Sequence, residues 1–138
     1  MATVIEAVKN PVESEKITIN LGFVDLGQIE LLVKEGFYSN RTDFIRTAIR
    51  NQLERHEEAV RQSAARRSLD LGLRRVTRQD LESFKARGET LALNVLGLAI
   101  IDPDVSAELA LDTIASLHVL GSLQASPAVK AALRGRIG

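Results

Sequence analysis

The chain contains no cysteine, which excludes disulfides and thiolate-bound metals and makes a reducing compartment the simplest setting. It has two histidines, His56 and His118, far apart and with no carboxylate set at ligand spacing. That argues against a metal centre or a histidine-based catalytic site. Glycine-rich phosphate loops are missing too, because Gly97 and Gly121 stand alone. The most apolar window, Leu91–Ile101, is too short to span a bilayer. The opening MATVIEAVKNPVESE is neither basic nor apolar enough for a secretion signal. These absences lead to the expectation of a soluble cytoplasmic protein without membrane, metal or cofactor, and not an enzyme. A small-molecule pocket in the C-terminal part stays open.

Surplus charge is also lacking: 18 basic residues balance 18 acidic ones. The distribution is uneven, however. From Arg41 to Arg78 ten arginines face five carboxylates, a local +5, whereas Glu89–Gly138 holds three basic residues against five acidic ones, a local −2. Such asymmetry fits one part facing nucleic acid and one facing something else, and equally fits plain solvated helix faces.

What is present is organised around Glu15–Arg55. Lys16-Ile17-Thr18-Ile19-Asn20-Leu21 alternates polar and aliphatic residues, so a strand here puts Ile17, Ile19 and Leu21 on one face and Lys16, Thr18 and Asn20 on the other. A lone strand ahead of two helices has no sheet of its own, and pairing with a second copy across a two-fold axis repairs that. A first helix is expected from about Asp25, as N-cap, to Glu35, with Gly36 at its left-handed end. A second starts at Ser39 or Asn40, with Asp43 in its first turn and Phe44, Ile45, Ala48, Ile49 and Leu53 as its apolar stripe.

The alternating strand, the turn Gly36-Phe37-Tyr38-Ser39-Asn40-Arg41-Thr42 and the helix start Asp43-Phe44-Ile45-Arg46-Thr47-Ala48-Ile49-Arg50 together resemble the ribbon-helix-helix family of DNA-binding proteins, the CopG/Arc/MetJ type. The resemblance implies a homodimer on double-stranded DNA, with Lys16, Thr18 and Asn20 reading bases in the major groove. It implies that Ser39, Asn40, Arg41 and Thr42 grip a phosphate at the second helix's N-terminus. Arg41 and Arg46 are then positioning contacts, although Arg46 and Arg50 are as well explained by pairing with Asp43 or Glu54. The family's nickel-responsive members use clustered His and Cys, which this chain lacks.

The expected fold class is α+β. Residues 1–14 read as an arm whose only basic residue is Lys9, residues 15–56 as the ribbon-helix-helix domain, and residues 57–88 as a helical connector. In the connector, Glu54–Leu71 reads as a long helix or two abutting ones, and Thr77 caps Arg78–Arg87. Arg66, Arg67, Arg74 and Arg75 suit flanking phosphates or a solvated face.

Residues 89–138 repeat themselves at 24 residues: Leu93-Asn94-Val95-Leu96-Gly97 recurs as Leu117-His118-Val119-Leu120-Gly121, and Pro103, Val105, Ala107 and Leu109 as Pro127, Val129, Ala131 and Leu133. Two strand-helix units follow, with Asp102-Pro103 and Ser126-Pro127 as helix starts. Two units are too few to close a solenoid, which favours higher self-association. The whole reads as a transcriptional regulator, a repressor on the nucleoid. An antitoxin of a toxin–antitoxin pair and an architectural or partition protein are the competing readings.

Overall fold

The structure, a computed structural model, describes residues 14–138. The arm expected over residues 1–14 therefore lies outside the described residues, except for Ser14. The described chain forms two compact units, Ser14–Ser63 and Ala64–Gly138.

In the first unit, residues 14–22 form neither helix nor strand. The alternating run at Lys16–Leu21 is expected as a strand, but a strand exists only through ladder hydrogen bonds, and no described segment pairs with it. Helix α1 spans Phe23–Lys34 and α2 spans Arg41–Arg55. The start of α1 corrects the expectation: Gly22, not Asp25, is the N-cap, and Asp25 lies within the first turn, where its carboxylate faces the positive end of the helix dipole. Gly36 takes φ +87°, and the Phe37 N–H reaches back to the Leu32 carbonyl at 3.0 Å, closing α1 in the manner of a Schellman turn. Between them the two helices bury one residue, Ile29. Phe23, Val24, Leu31, Ile49 and Leu53 are all exposed.

A break at His56 separates α2 from α3, Glu57–Arg66. Of the two options the sequence leaves open, abutting helices are found. The helical connector expected beyond them needs correction, because residues Asp70–Val76 form a strand, β1. The chain then runs through α4 (Arg78–Ala86), β2 (Leu91–Ile101), α5 (Ala107–Thr113), β3 (Ile114–Gln124), α6 (Pro127–Ala132) and a 3-10 turn, Arg134–Arg136. The sheet is parallel, in the order β1-β2-β3. Leu81 of α4, Leu109 and Ala110 of α5, and Val129 and Leu133 around α6 share one core with Val76, Leu93, Val95, Ala99, Ile101 and Leu117 of the strands. The helices thus line one face, as parallel strands joined by same-handed crossovers require.

The register explains the spacing read in the sequence. Leu93 stands beside Leu117 and Gly97 beside Gly121, an offset of 24, while β1 joins the row one residue out of step, with Gly72 beside Gly97. The three glycines have φ of +120°, +140° and +127°, a region that side chains with a Cβ disfavour. At Gly97 an added Cβ would collide with the Gly72 carbonyl, and at Gly121 with the Gly97 carbonyl. Each strand's glycine makes room for the backbone of the strand before it.

Helix starts differ between the units. Ser126 caps α6 with proline behind it, as the sequence indicates, its Oγ accepting from Val129 N–H at 3.2 Å. Asp102, however, caps nothing. Its carboxylate accepts from Arg75 Nε at 2.7 Å and its N–H donates to the Val76 carbonyl at 3.0 Å. The cap falls instead on Ser106, whose Oγ accepts from Leu109 N–H at 3.1 Å.

Two predictions follow from this packing. Gly97→Ala destabilises the Ala64–Gly138 unit by more than about 1 kcal/mol in urea unfolding, and more than Gly72→Ala, whose added Cβ meets nothing within 4 Å. Thr77 and Asp80 form a reciprocal cap on α4, and the Thr77 backbone N–H, followed by its hydroxyl, holds the Asp80 carboxyl below its ordinary 3.8. A lowered folded pKa means that this contribution is present above 3.8 and is lost as the pH falls through the folded value. Thr77→Ala therefore costs about 1 kcal/mol near neutral pH, and less in acid once Asp80 is protonated. Unfolding at both pH values measures the difference.

Candidate nucleic-acid interface

The residues read as base-contacting, Lys16, Thr18 and Asn20, are all exposed along the segment that precedes α1. Their aliphatic alternates are exposed as well, Ile17 at 78%, Ile19 at 61% and Leu21 at 40%. Both sides of the segment therefore face solvent in the single chain. Its C-terminal end does meet the helices: Ile19, Asn20 and Leu21 line a depression together with Leu26, Ile29, Arg41, Thr42 and Ile45. One candidate base-reader, Asn20, thus shares a surface with two candidate phosphate residues, Arg41 and Thr42. Lys16 and Thr18 are not among the residues lining it.

The α2 N-terminus is built by side chains that satisfy its own amides. Asn40 Oδ1 accepts from Asp43 N–H at 2.8 Å, and Asp43 Oδ2 in turn accepts from Ser39 N–H at 2.9 Å. This reciprocal arrangement uses Asn40 Oδ1 and the Ser39 amide and leaves Asn40 Nδ2 and the Ser39 hydroxyl outside the cap. The Phe44 N–H is also used, on the Asn40 carbonyl at 3.2 Å. Among the described residues, the Arg41 and Thr42 amides have no hydrogen-bond partner. These are the first-turn donors that a helix leaves unpaired. Asp43 was read as a first-turn acid; its part in ordering Ser39 was not, although the spacing of Ser39 and Asp43 carries the signal. Tyr38 packs edge-on against Phe44 with ring centroids 5.0 Å apart, tying the turn to the helix.

Arginines sort into two groups. Arg61, Arg74, Arg75 and Arg78 are each engaged by carboxylates, with Arg75 on Asp102 and Arg78 on Glu82 at 2.7 and 2.8 Å. Their hydrogen bonds to Asp102 and Glu82 raise the already high pKa of Arg75 and Arg78. The flanking-phosphate role weighed for Arg74 and Arg75 therefore competes with ion pairs already made. Arg46 and Arg50, by contrast, form no ion pair among the described residues. Intrahelical pairing of either with Asp43 or Glu54 is therefore not found among the described residues, and pairing across subunits is the other alternative the sequence leaves open. Arg41 reaches Glu30 at 3.5 Å, with both side chains 58% exposed, a contact weak enough to exchange for a phosphate.

No group of three His, Asp or Glu gathers at metal-binding geometry among the described residues, nor is any described helix long and apolar enough to cross a membrane. Compared with known protein families, residues 12–130 match the ribbon-helix-helix transcriptional regulator family. With most of its length matched, the chain belongs to that family. No curated protein and no solved structure matches it.

The capping geometry makes a direct prediction. Asn40→Ala removes the acceptor for Asp43 N–H and lowers stability by about 1 kcal/mol in denaturant unfolding. Asn40→Asp retains an oxygen at that point and stays within a few tenths of a kcal/mol of the parent chain.

Proposed function

We propose that the protein is a repressor that binds double-stranded DNA as a homodimer. Lys16–Leu21 of two chains pair as an antiparallel ribbon, whose Lys16, Thr18 and Asn20 face enters the major groove. The observation that carries this reading is the exposed aliphatic row Ile17, Ile19 and Leu21, in a chain that belongs to a ribbon-helix-helix regulator family. Burying such a row is favourable by roughly 1.5–3 kcal/mol for each aliphatic side chain fully covered. Pairing also satisfies the backbone donors and acceptors of residues that form no ladder within the chain.

Polar side chains on the opposite face then match base edges. Lysine donates to guanine O6 or N7, asparagine pairs with adenine N6 and N7, and threonine donates, accepts or meets a thymine methyl. The Arg41 and Thr42 amides, with the positive end of the α2 dipole behind them, take a phosphate oxygen. Arg41, released from Glu30, and Arg46 add positive charge that sets register without reading sequence. The Ser39 hydroxyl and Asn40 Nδ2, which the cap does not use, donate to the same phosphate. The Ala64–Gly138 unit supports higher self-association, which raises the avidity of dimers on adjacent half-sites.

Binding to a duplex selected from random sequences, against a scrambled duplex, tests the assignment. Thr18→Ala and Asn20→Ala each reduce the preference for the selected site by about 1–3 kcal/mol and leave scrambled binding unchanged. Arg41→Ala weakens both duplexes alike and lowers the salt slope by about one. Equal losses on both duplexes in the Thr18 and Asn20 variants would remove the ribbon from the major groove.

A further inference from the structure

The two edges of the parallel sheet are finished differently. Along β3, Ile137 forms a bridge to Leu117 and the Gly138 N–H donates to the Leu117 carbonyl at 2.9 Å. Arg136 anchors that segment on the Leu111 and Ile114 carbonyls. Along β1 the outer edge has no strand beside it among the described residues. Leu71 and Leu73 are 78% and 55% exposed there. An uncovered parallel edge carrying two leucines is a template for another strand.

We infer that this other strand is β1 of a second copy, paired antiparallel about a two-fold axis at Gly72, which joins two three-stranded sheets into one. The inference deepens the self-association half of the proposed function and is independent of the DNA half. Its basis is the palindrome of charge and shape in Asp70-Leu71-Gly72-Leu73-Arg74. With Gly72 on the axis, Asp70 of each chain lies opposite Arg74 of the other, and Leu71 lies opposite Leu73. Residues that face each other across a ladder point to the same side of the sheet, so an allowed symmetric register moves the axis to Leu71 or Leu73. The first puts Asp70 against glycine and the second puts Leu71 against Arg75. Of these registers only the Gly72 one sets Asp70 against Arg74, while Arg75 is held by Asp102 of its own chain.

Space at the axis agrees. The Cβ position of Gly97 is filled by the Gly72 carbonyl and that of Gly121 by the Gly97 carbonyl, whereas around the same position at Gly72 nothing lies within 4 Å. The seat that takes a neighbouring strand's backbone elsewhere in the sheet is open on the free edge. Within one chain Arg74 pairs with Asp70 only at 3.6 Å, with side chains 43% and 70% exposed, a weak contact that the same two groups of a partner can replace. Closure by a two-fold also ends the assembly, which a head-to-tail stack of β3 on β1 does not.

Because the chain has no cysteine, engineered thiols report the register without background. Leu71→Cys and Leu73→Cys are introduced into separate full-length chains, which are co-expressed, purified and exposed to a mild oxidant. Directly opposed residues have Cα atoms about 4.5–5.5 Å apart, inside disulfide reach, while like residues in this register are diagonal, at about 7–8 Å. The mixed pair cross-links several-fold faster than either variant with itself. Adding Asp70→Arg to the first chain and Arg74→Asp to the second leaves like charges within each chain but opposite charges across the axis. The mixed pair then keeps its fast cross-linking, whereas Asp70→Arg in the first chain alone, which places a like charge opposite Arg74 of the second chain, slows it several-fold. Equal rates for mixed and like pairs, or undiminished cross-linking of the mixed pair when Asp70→Arg is present alone, would overturn the assignment. Affinity for the selected duplex, measured in parallel, reports separately on the DNA reading.

Discussion

An unpartnered backbone is the constraint on which the first unit turns. Residues 14–22 make no ladder and the two helices behind them bury one side chain between them. Such a unit cannot offset the conformational entropy of ordering some fifty residues from its own contacts. Its exposed aliphatics, from Ile17 through Leu53, are the side chains that the proposed dimer would bury. In the proposed dimer, folding and association are one event, and no folded monomer exists to bind DNA wrongly.

The second unit meets a similar demand within the chain. Its strands find partners through helical crossovers, and the helices seal one face around Leu81, Leu93, Val95, Leu117 and Leu133, all buried. Gly97 and Gly121, at the level of Gly72, let the backbones of adjacent strands approach where a Cβ would collide. The charge division read in the sequence takes a structural form here. Arginines of β1 and α4 are bound to Asp70, Asp102 and Glu82, whereas Arg46 and Arg50 of α2 are left unpaired among the described residues. Positive charge is thus available on the helix whose N-terminus meets phosphate in the proposed complex.

Much of this was legible in the sequence for identifiable reasons. Asn40 with Asp43, Gly36 and Thr77 with Asp80 are local signals, in which a cap or left-handed turn depends on residues within four positions. The 24-residue spacing of Leu93 to Leu117 and of Gly97 to Gly121 was readable as a repeat, and in the sheet these residues stand side by side. β1 was not, since Asp70–Val76 follows an Ala- and Arg-rich helical run and its glycine is 25 residues from Gly97 rather than 24. Asp102 misled for a different reason. Asp before Pro is a sound local cap, but Arg75, 27 residues earlier, takes the carboxylate, and a long-range ion pair leaves no local trace. The Lys16–Leu21 alternation lies between these cases: its period is plain, and no described segment pairs with it.

Amide hydrogen exchange of residues 16–21 as a function of protein concentration tests the central claim most directly. If these residues pair between two copies, their ladder amides are protected at high concentration, and protection falls on dilution together with that of α1 and α2. Rapid exchange of every amide in 16–21, at concentrations where the protein binds its DNA site, would contradict a paired ribbon as the folded and DNA-binding form.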